Sequence, residues 1–202
     1  MKTKILGLIL VGFTIFSNVS VQAADEKHQM SEEMKAKMAK AKELGTPGAE
    51  HAVLKAFEGD WVVTNKSWMK PDEKPMESSG TASMEWILDG RFLKQSFKGN
   101  WAGESFKGMG LIGYDKIKKE YISFWMDNMS TGVFQSTGQY DASTKTFKDS
   151  GHFSCPMPDE RDKWFRTEWK ILNPNKHIYT MFTKDPDGKE FKSMELVYKR
   201  AK

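Results

Sequence analysis

Turn-forming residues recur about every ten positions from Trp61 to the end of the chain, a spacing typical of consecutive short strands. The segments between them are rich in Val, Ile, Thr, Phe, Trp and Tyr, which favour strands. Each turn is short enough for a hairpin, and none leaves room for a helical crossover, so the strands must pair antiparallel. Nine turns separate ten segments, and they fall at 71–72, 89–90, 99–100, 115–116, 128–132, 141–144, 158–159, 173–175 and 185–188.

An antiparallel meander of this length has to deal with its two edge strands. Long twisted sheets curl or split, and an unpaired edge invites aggregation. An up-and-down barrel removes both edges by pairing the first strand with the last. The sequence therefore predicts an all-β fold, an antiparallel up-and-down barrel of roughly ten strands. A two-sheet sandwich of the same strands is the alternative.

The chain before the first strand has a helical pattern. Residues 25–44 are rich in Lys, Glu, Ala and Met, and the methionines recur at helical spacing. A second, short helix from about Ala49 to Phe57 is expected to cap one end of the barrel. The predicted organisation is a helical N-terminal segment at 24–45 and a barrel domain at 46–202.

The first residues are typical of an export signal. Lys2 and Lys4 precede an apolar run, 5–16, that is shorter than the ~20 residues of a membrane-spanning helix. Small residues lead up to Ala23, so we expect a signal peptide at 1–23. Its removal would give a periplasmic or secreted protein with no membrane span.

Charge and cysteine content exclude several classes of partner. The chain has 31 Lys and Arg residues against 27 Asp and Glu, and removal of Lys2 and Lys4 with the signal leaves a net charge of +2. So small a charge, together with export, argues against a nucleic-acid partner. A single cysteine, Cys155, excludes an internal disulfide and any four-thiolate metal site. We expect this thiol to be buried and inert.

Local motifs predict neither catalysis nor metal binding. The sequence contains no nucleotide-binding, metalloprotease or nucleophile motif. His152 and Cys155 are near each other, but an odd separation places them on opposite faces of a regular strand. His177 follows a turn and is expected to be solvated, and the helix methionines are expected to pack rather than to bind copper. We therefore expect no catalytic residue, metal or cofactor.

Gly59-Asp60-Trp61 opens the first strand directly after a short helix. This tripeptide resembles the G-x-W signature of lipocalin-type barrels, in which the Trp plugs the closed end and an Arg of the last strand covers it. The resemblance implies these structural roles for Trp61 and Arg200. A guanidinium over an indole is worth roughly 0.5–2 kcal/mol.

Further motifs occur in the order Pro47-Gly48-Ala49-Glu50-His51, Asp89-Gly90-Arg91-Phe92-Leu93, Gly113-Tyr114-Asp115, Trp125-Met126-Asp127, Thr131-Gly132 and Asp187-Gly188-Lys189-Glu190. Together they are similar to landmarks of one bacterial family, the domain of unknown function 1579, over roughly residues 46 to 200. Asp89 and Lys116 depart from the family pattern, and both lie in turns. The family is grouped with the calycin barrels, so the resemblance implies a calycin-like barrel and leaves the activity open.

Alternation within the strands predicts which side chains face the barrel interior. A barrel of this size has room for one modest ligand, and Met and Trp on the inward faces suit a flat or flexible apolar molecule. We expect a carrier or sensor of a small hydrophobic or amphipathic molecule. The residues expected to line its cavity are Met84, Trp86, Arg91, Gln95, Phe97, Trp125, Asp127, Thr167, Trp169 and Met194.

Two alternative functions use the same cavity. In the first, the protein is a hydrolase or an isomerase, and Arg91, Asp127 or His152 takes part in proton transfer. That function requires these residues to converge in one pocket; otherwise Asp127 caps a turn and Arg91 forms a surface ion pair. In the second, an inward-facing histidine holds haem or another metal group.

Overall fold

The computed structural model describes residues 30–155 and 160–202, most of which lie in ten antiparallel strands. These are β1 (Gly59–Ser67), β2 (Met76–Ile87), β3 (Phe92–Trp101), β4 (Glu104–Asp115), β5 (Glu120–Asp127), β6 (Phe134–Asp141), β7 (Thr146–Cys155), β8 (Glu160–Asn173), β9 (Lys176–Lys184) and β10 (Glu190–Arg200). Each strand pairs with its sequence neighbours, and β1 also pairs with β10, so the sheet closes. The up-and-down barrel is confirmed, and the sandwich alternative is wrong.

A helix, α1 (Glu32–Leu44), precedes the barrel and has no buried residue. It is tied to the turn between β4 and β5 at its C-terminal end. Lys116 Nζ donates hydrogen bonds to the carbonyl oxygens of Glu43 (2.8 Å) and Thr46 (3.0 Å) there. The predicted N-terminal helix is confirmed in its described part, whereas residues 25–29 and the predicted signal peptide lie outside the described residues. In the described part of the chain, no helix is both long and apolar enough to cross a bilayer.

A second helix, α2 (Ala49–Leu54), continues into a 3₁₀ turn (Lys55–Phe57) and fills one end of the barrel. The last residue of each element, Leu54 and Phe57, has no exposed surface. Both pack against inward side chains of the strands. The predicted capping helix is therefore confirmed, and we refer to this end of the barrel as the closed end.

Trp61 and Arg200 join the first strand to the last at the closed end. The Trp61 Nε1–H donates to the Phe57 carbonyl oxygen (2.8 Å), and the Arg200 guanidinium carbon lies 4.3 Å from the centre of a Trp61 ring. Arg200 Nη1 also donates to the Glu58 carbonyl oxygen (3.0 Å). Gly59 has a φ of +109°, and a Cβ there would lie 2.7 Å from Arg200 Nη1. The contact implied by the G-x-W resemblance is present.

His177 lies inside the closed-end core, so the expectation of a solvated side chain is wrong. The strand pleat turns it inward directly after the preceding turn, and it is only 1% exposed. The Trp169 Nε1–H donates to His177 Nδ1 (2.7 Å), and Nε2 has no hydrogen-bond partner among the described residues. Burial, assisted by the positive charge of Arg200, lowers the pKa of His177 to about 3. The imidazole is therefore neutral at neutral pH.

One turn lies later in the chain than the sequence predicts. Gly99 and Asn100 belong to β3, and the chain reverses at Ala102 and Gly103, which both have positive φ. Asn100 Oδ1 accepts a hydrogen bond from the Gly103 N–H (2.9 Å). Asn100 thus belongs to the strand before the turn, and its side chain stabilises the turn.

The buried, neutral His177 predicts a loss of stability in mild acid. An unfolded chain protonates this histidine below its ordinary pKa of 6.5, whereas the folded protein keeps it neutral down to about pH 3. Its stabilising effect is complete at pH 7 and declines as the pH falls from 6.5 toward 3. Between pH 7 and 5, the wild type should lose about 2 kcal/mol more unfolding free energy than His177→Asn in urea titrations. Equal losses would contradict this prediction.

Candidate functional site

The barrel interior changes from filled to hollow along its axis. At the closed end, large inward side chains such as Trp61 and Phe147 form the core. Toward the opposite, open end, many inward positions carry small residues such as Ser67 and Ser123. A cavity of about 530 Å³ remains between the strands there. We refer to it as the barrel cavity.

Three aromatic side chains from adjacent strands form one wall of the barrel cavity. The ring centres of Phe97 and Phe106 are 5.7 Å apart, and those of Phe106 and Trp125 are 6.4 Å apart with the ring planes 13° from parallel. Trp125 packs directly against Gly108, where an added Cβ would come within 2.1 Å of the indole. Glycine at this position therefore leaves the room that the indole occupies.

A second part of the wall is apolar and more adaptable. The Phe134 and Phe165 ring centres are 5.9 Å apart, and Met181 and Met194 line the same cavity. Methionine is flexible and polarisable, so it can adjust to ligands of different shape. This wall suits an apolar molecule without fixing its outline.

Polar groups line the barrel cavity at a few fixed points. Gln95 Nε2 donates to the Tyr198 hydroxyl (3.0 Å), and Asn65 Nδ2 donates to Ser78 Oγ (3.1 Å). Asn65 Oδ1 and Ser67 Oγ are buried and have no hydrogen-bond partner among the described residues. They are therefore buried polar atoms at the edge of the cavity whose hydrogen-bonding capacity the described residues leave unused.

Asp149 lies at the floor of the barrel cavity, one inward position beyond the core residue Phe147. The Thr167 hydroxyl donates a hydrogen bond to Asp149 Oδ1, and the Ser136 side chain forms another with the carboxyl group. The side chain keeps accessible surface because it lines the cavity, but protein otherwise surrounds it, and this burial raises the pKa of Asp149. Burial, together with the charge of Asp149, raises the pKa of Tyr179 well above its usual value.

Asp127 lies at the open end and also lines the barrel cavity. Its Oδ2 accepts a hydrogen bond from the Trp125 Nε1–H (2.9 Å), and its Oδ1 accepts one from the Met129 N–H (3.0 Å). Asp127 therefore combines the two roles expected of it, because it stabilises the turn after β5 and contributes a carboxylate to the cavity.

Three of the residues predicted to line the cavity lie elsewhere in the interior. Met84 and Trp86 face inward but belong to the closed-end core, where Met84 is 1% exposed. Thr167 is buried beside Asp149 and does not line the cavity. Alternation reports the face of a strand and not the depth along the barrel axis, so it could not separate these residues from the lining. The predicted residues that do line the cavity are Gln95, Phe97, Trp125, Asp127, Trp169 and Met194.

Arg91 lies outside the barrel cavity, so its predicted place in the lining is wrong. Its Nη1 donates to the Leu88 carbonyl oxygen (3.1 Å) and lies 3.7 Å from Asp89 Oδ2. Arg91 belongs to the turn between β2 and β3 at the closed end rather than to the inward face of β3. This position agrees with the alternative prediction for Arg91, a surface ion pair.

His152 is exposed on the outer face of the barrel, where it lies opposite Gln135 and Trp164 on the neighbouring strands. Cys155, expected to be buried, is half-buried, and the strand register shifts between Phe153 and Cys155. Within the described ranges, no group of three His, Cys, Asp or Glu side chains is placed to hold a metal ion.

The sequence prediction omitted Asp149, the carboxylate deepest in the barrel cavity. A signal for it exists, because Phe147, Asp149, Gly151 and Phe153 alternate with polar or exposed residues. Most carboxylates of the chain lie in or beside turns, which makes this inward one easy to overlook. When a cavity lining is predicted from sequence, an acidic residue at an inward strand position should be included in the same way as an aromatic one.

Comparisons with known proteins identify the fold. A family model described as a protein of unknown function (DUF1579) matches residues 46–200. The crystal structure of Rv2717c from M. tuberculosis has a TM-score of 0.59 at 10% identity, covering 78% of this chain and 100% of that one. A redesigned beta barrel has a TM-score of 0.36 at 12% identity, covering 76% and 96% of the two chains. At these identities, the likeness to Rv2717c shows the fold alone. No curated protein matches the chain.

The close packing of Trp125 on Gly108 predicts that Gly108→Ala destabilises the barrel. The added methyl would meet the indole at 2.1 Å and push it into the cavity. We expect a loss of about 1–3 kcal/mol in unfolding free energy and a shift in tryptophan emission. The control Gly132→Ala, whose Cβ would come no closer to any atom than 3.3 Å, at Ser130 Oγ, should change stability by less than about 0.5 kcal/mol. Equal effects of the two substitutions would contradict the prediction.

Proposed function

The chain belongs to the family of proteins of unknown function DUF1579, and we propose that it is an exported barrel that binds a small, largely apolar molecule. Its role would be that of a carrier or a sensor. The observation that carries this proposal is the barrel cavity of about 530 Å³, walled by aromatic and methionine side chains.

The size and lining of the barrel cavity support this proposal. Cavities that bind small molecules commonly measure about 300–1,000 Å³ and combine apolar walls with a few placed polar groups. Here the aromatic wall of Phe97, Phe106 and Trp125 supplies the apolar surface, and Asn65 and Asp149 supply polar atoms. A molecule in the cavity would remove this apolar surface from water, which favours binding.

Export is supported by the sequence at the start of the chain. Lys2 and Lys4, the apolar run 5–16 and the small residues before position 24 have the order of a cleaved signal peptide. On this proposal the protein acts in the periplasm or outside the cell. An exported carrier would meet its ligand there without any step across the inner membrane.

The geometry favours binding over the two alternatives. The residues proposed for catalysis do not converge, because Arg91 lies at the closed end, His152 lies on the outer face, and only Asp127 reaches the barrel cavity. For haem, no histidine among the described residues lines the cavity. His51 instead accepts a hydrogen bond from the Gly48 N–H (3.2 Å), and His177 accepts one from Trp169.

A ligand-binding barrel should respond to a substitution that fills its cavity. Native mass spectrometry of protein purified from its own host should detect a bound small molecule. In a screen of apolar compounds, a ligand at 100 times its Kd should stabilise the protein by about 2.7 kcal/mol, or roughly 5–10 °C in Tm. Ser123→Leu, which fills the cavity, should lose this shift, whereas Ser83→Leu on the outer face should keep it.

Two results would contradict the proposed function. One is repeated recovery of the protein without a bound molecule, together with no thermal shift from any compound. The other is a shift that Ser123→Leu and Ser83→Leu retain equally, because the compound would then bind outside the barrel.

A further inference from the structure

We propose that the barrel cavity selects organic cations, namely small amines with an apolar body, whose ammonium group binds the carboxylate of Asp149 at the cavity floor. This inference rests on the proposed binding function and names the class of ligand. It also gives a role to Asp149, a buried carboxylate that has no ion-pair partner among the described residues.

The charge of the barrel cavity is opposite in sign to that of the chain. Among the described residues that line it, two are carboxylates, Asp127 and Asp149, and none is Lys, Arg or His. The whole sequence, by contrast, has a formal net charge of +4. An anion in the cavity would face like charges in a medium of low dielectric constant, whereas a cation would be attracted. Fatty acids and other carboxylates are therefore disfavoured as ligands.

Asp149 lacks a cationic partner in the described part of the protein. Its hydrogen bonds come from the neutral hydroxyl groups of Thr167 and Ser136, and it takes part in none of the ion pairs of the described residues. A buried carboxylate without a counter-charge is costly. An ammonium group would provide the missing charge and strong, charge-assisted hydrogen bonds.

Other groups of the barrel cavity suit the rest of an amine. The side chains of Asn65, Ser78 and Gln95 also line the cavity, so polar atoms are present beside the two carboxylates. Trp169 and Tyr179 line the cavity beside Asp149, and the faces of aromatic rings attract cations. The aromatic wall around Trp125 would then hold the apolar body, as in other sites that combine one charge with a broad apolar surface.

Three probes with the same ring system separate charge from shape. They are 1-naphthylmethylamine, 1-naphthylmethanol and 1-naphthoate, and each is titrated by calorimetry into the full-length mature protein at pH 7. We expect the amine to bind at least about tenfold more tightly than the alcohol, and the carboxylate to bind weakest. An amine that binds no more tightly than the alcohol or the carboxylate would overturn the inference.

Matched variants assign the preference to Asp149. In Asp149→Asn the amine should lose its tenfold advantage, while the alcohol keeps an affinity close to that of the wild type. Glu168→Gln removes a carboxylate from the outer face of β8, next to Thr167, and should keep the full preference. A preference that survives in Asp149→Asn, or that only Asp127→Asn abolishes, would place the ammonium elsewhere and overturn the assignment.

The pH dependence of the wild type tests the same point without any substitution. The groups facing Asp149 are the hydroxyls of Ser136 on β6 and Thr167 on β8, and the phenol of Tyr179 on β9; Asp127 lies farther away at the open end. The two affinities are measured as the pH is lowered from 8 to 4. Because burial raises the pKa of Asp149, acid removes its charge at a higher pH than it does for an exposed aspartate, while the amine stays protonated. The ratio of amine to alcohol affinity should fall over this range. A constant ratio would overturn the inference.

Failure of the inference can be told apart from failure of the proposed function. Binding of the alcohol and the amine with equal affinity, lost in Ser123→Leu, would leave the apolar cavity as a binding site and overturn only its preference for cations. Failure of all three probes to bind, together with no response to the wider apolar screen, would overturn both.

Discussion

The pairing of β1 with β10, which begins at Trp61 and Arg200 in the closed end, is the interaction on which the rest of the barrel depends. Seven residue pairs, from Trp61 with Arg200 to Ser67 with Met194, join the first strand to the last and close the sheet into a ring. The side chains of Trp61 and Arg200 donate hydrogen bonds to the carbonyl oxygens of Phe57 and Glu58, so they also hold the capping helix in place. Without this pairing, β1 and β10 would be two open edges.

Closure at one end allows the other end to stay hollow. The core around Phe57, Trp61 and Trp169 buries large aromatic side chains, which contribute most of the apolar burial of a small barrel. Toward the open end, several inward positions carry serine or glycine, and Trp125 packs against Gly108 in the wall. The packing lost around a cavity costs stability. The protein therefore concentrates its stabilising contacts in one half of the barrel and its cavity in the other.

The fold could be predicted from the sequence because its determinants are local. Turn residues at regular intervals set the number and pairing of the strands, and G-x-W with a terminal Arg indicated how the ring closes. The site was less predictable, because depth along the barrel depends on strand stagger, which one sequence does not display. Met84 and Gln95 both face inward on neighbouring strands, yet one lies in the core and the other lines the cavity. Arg91 was misjudged for a different reason, because it lies in the turn before β3. Asp149 was overlooked although alternation places it on the inward face of β7.

The boundary between dry core and cavity falls between two consecutive inward residues of β7. Phe147 packs in the closed-end core with Phe57 and Tyr121, and the next inward residue, Asp149, lines the barrel cavity. A carboxylate at the position of Phe147 would have neither water nor a counter-charge, and the cost of burying it would be several kcal/mol. At its actual position, one side of Asp149 faces the cavity, and the hydroxyl groups of Thr167 and Ser136 form hydrogen bonds with its carboxyl group. The hollow half of the barrel is thus what makes a buried carboxylate tolerable. Together with Asp127, this carboxylate gives a largely apolar cavity a negative charge.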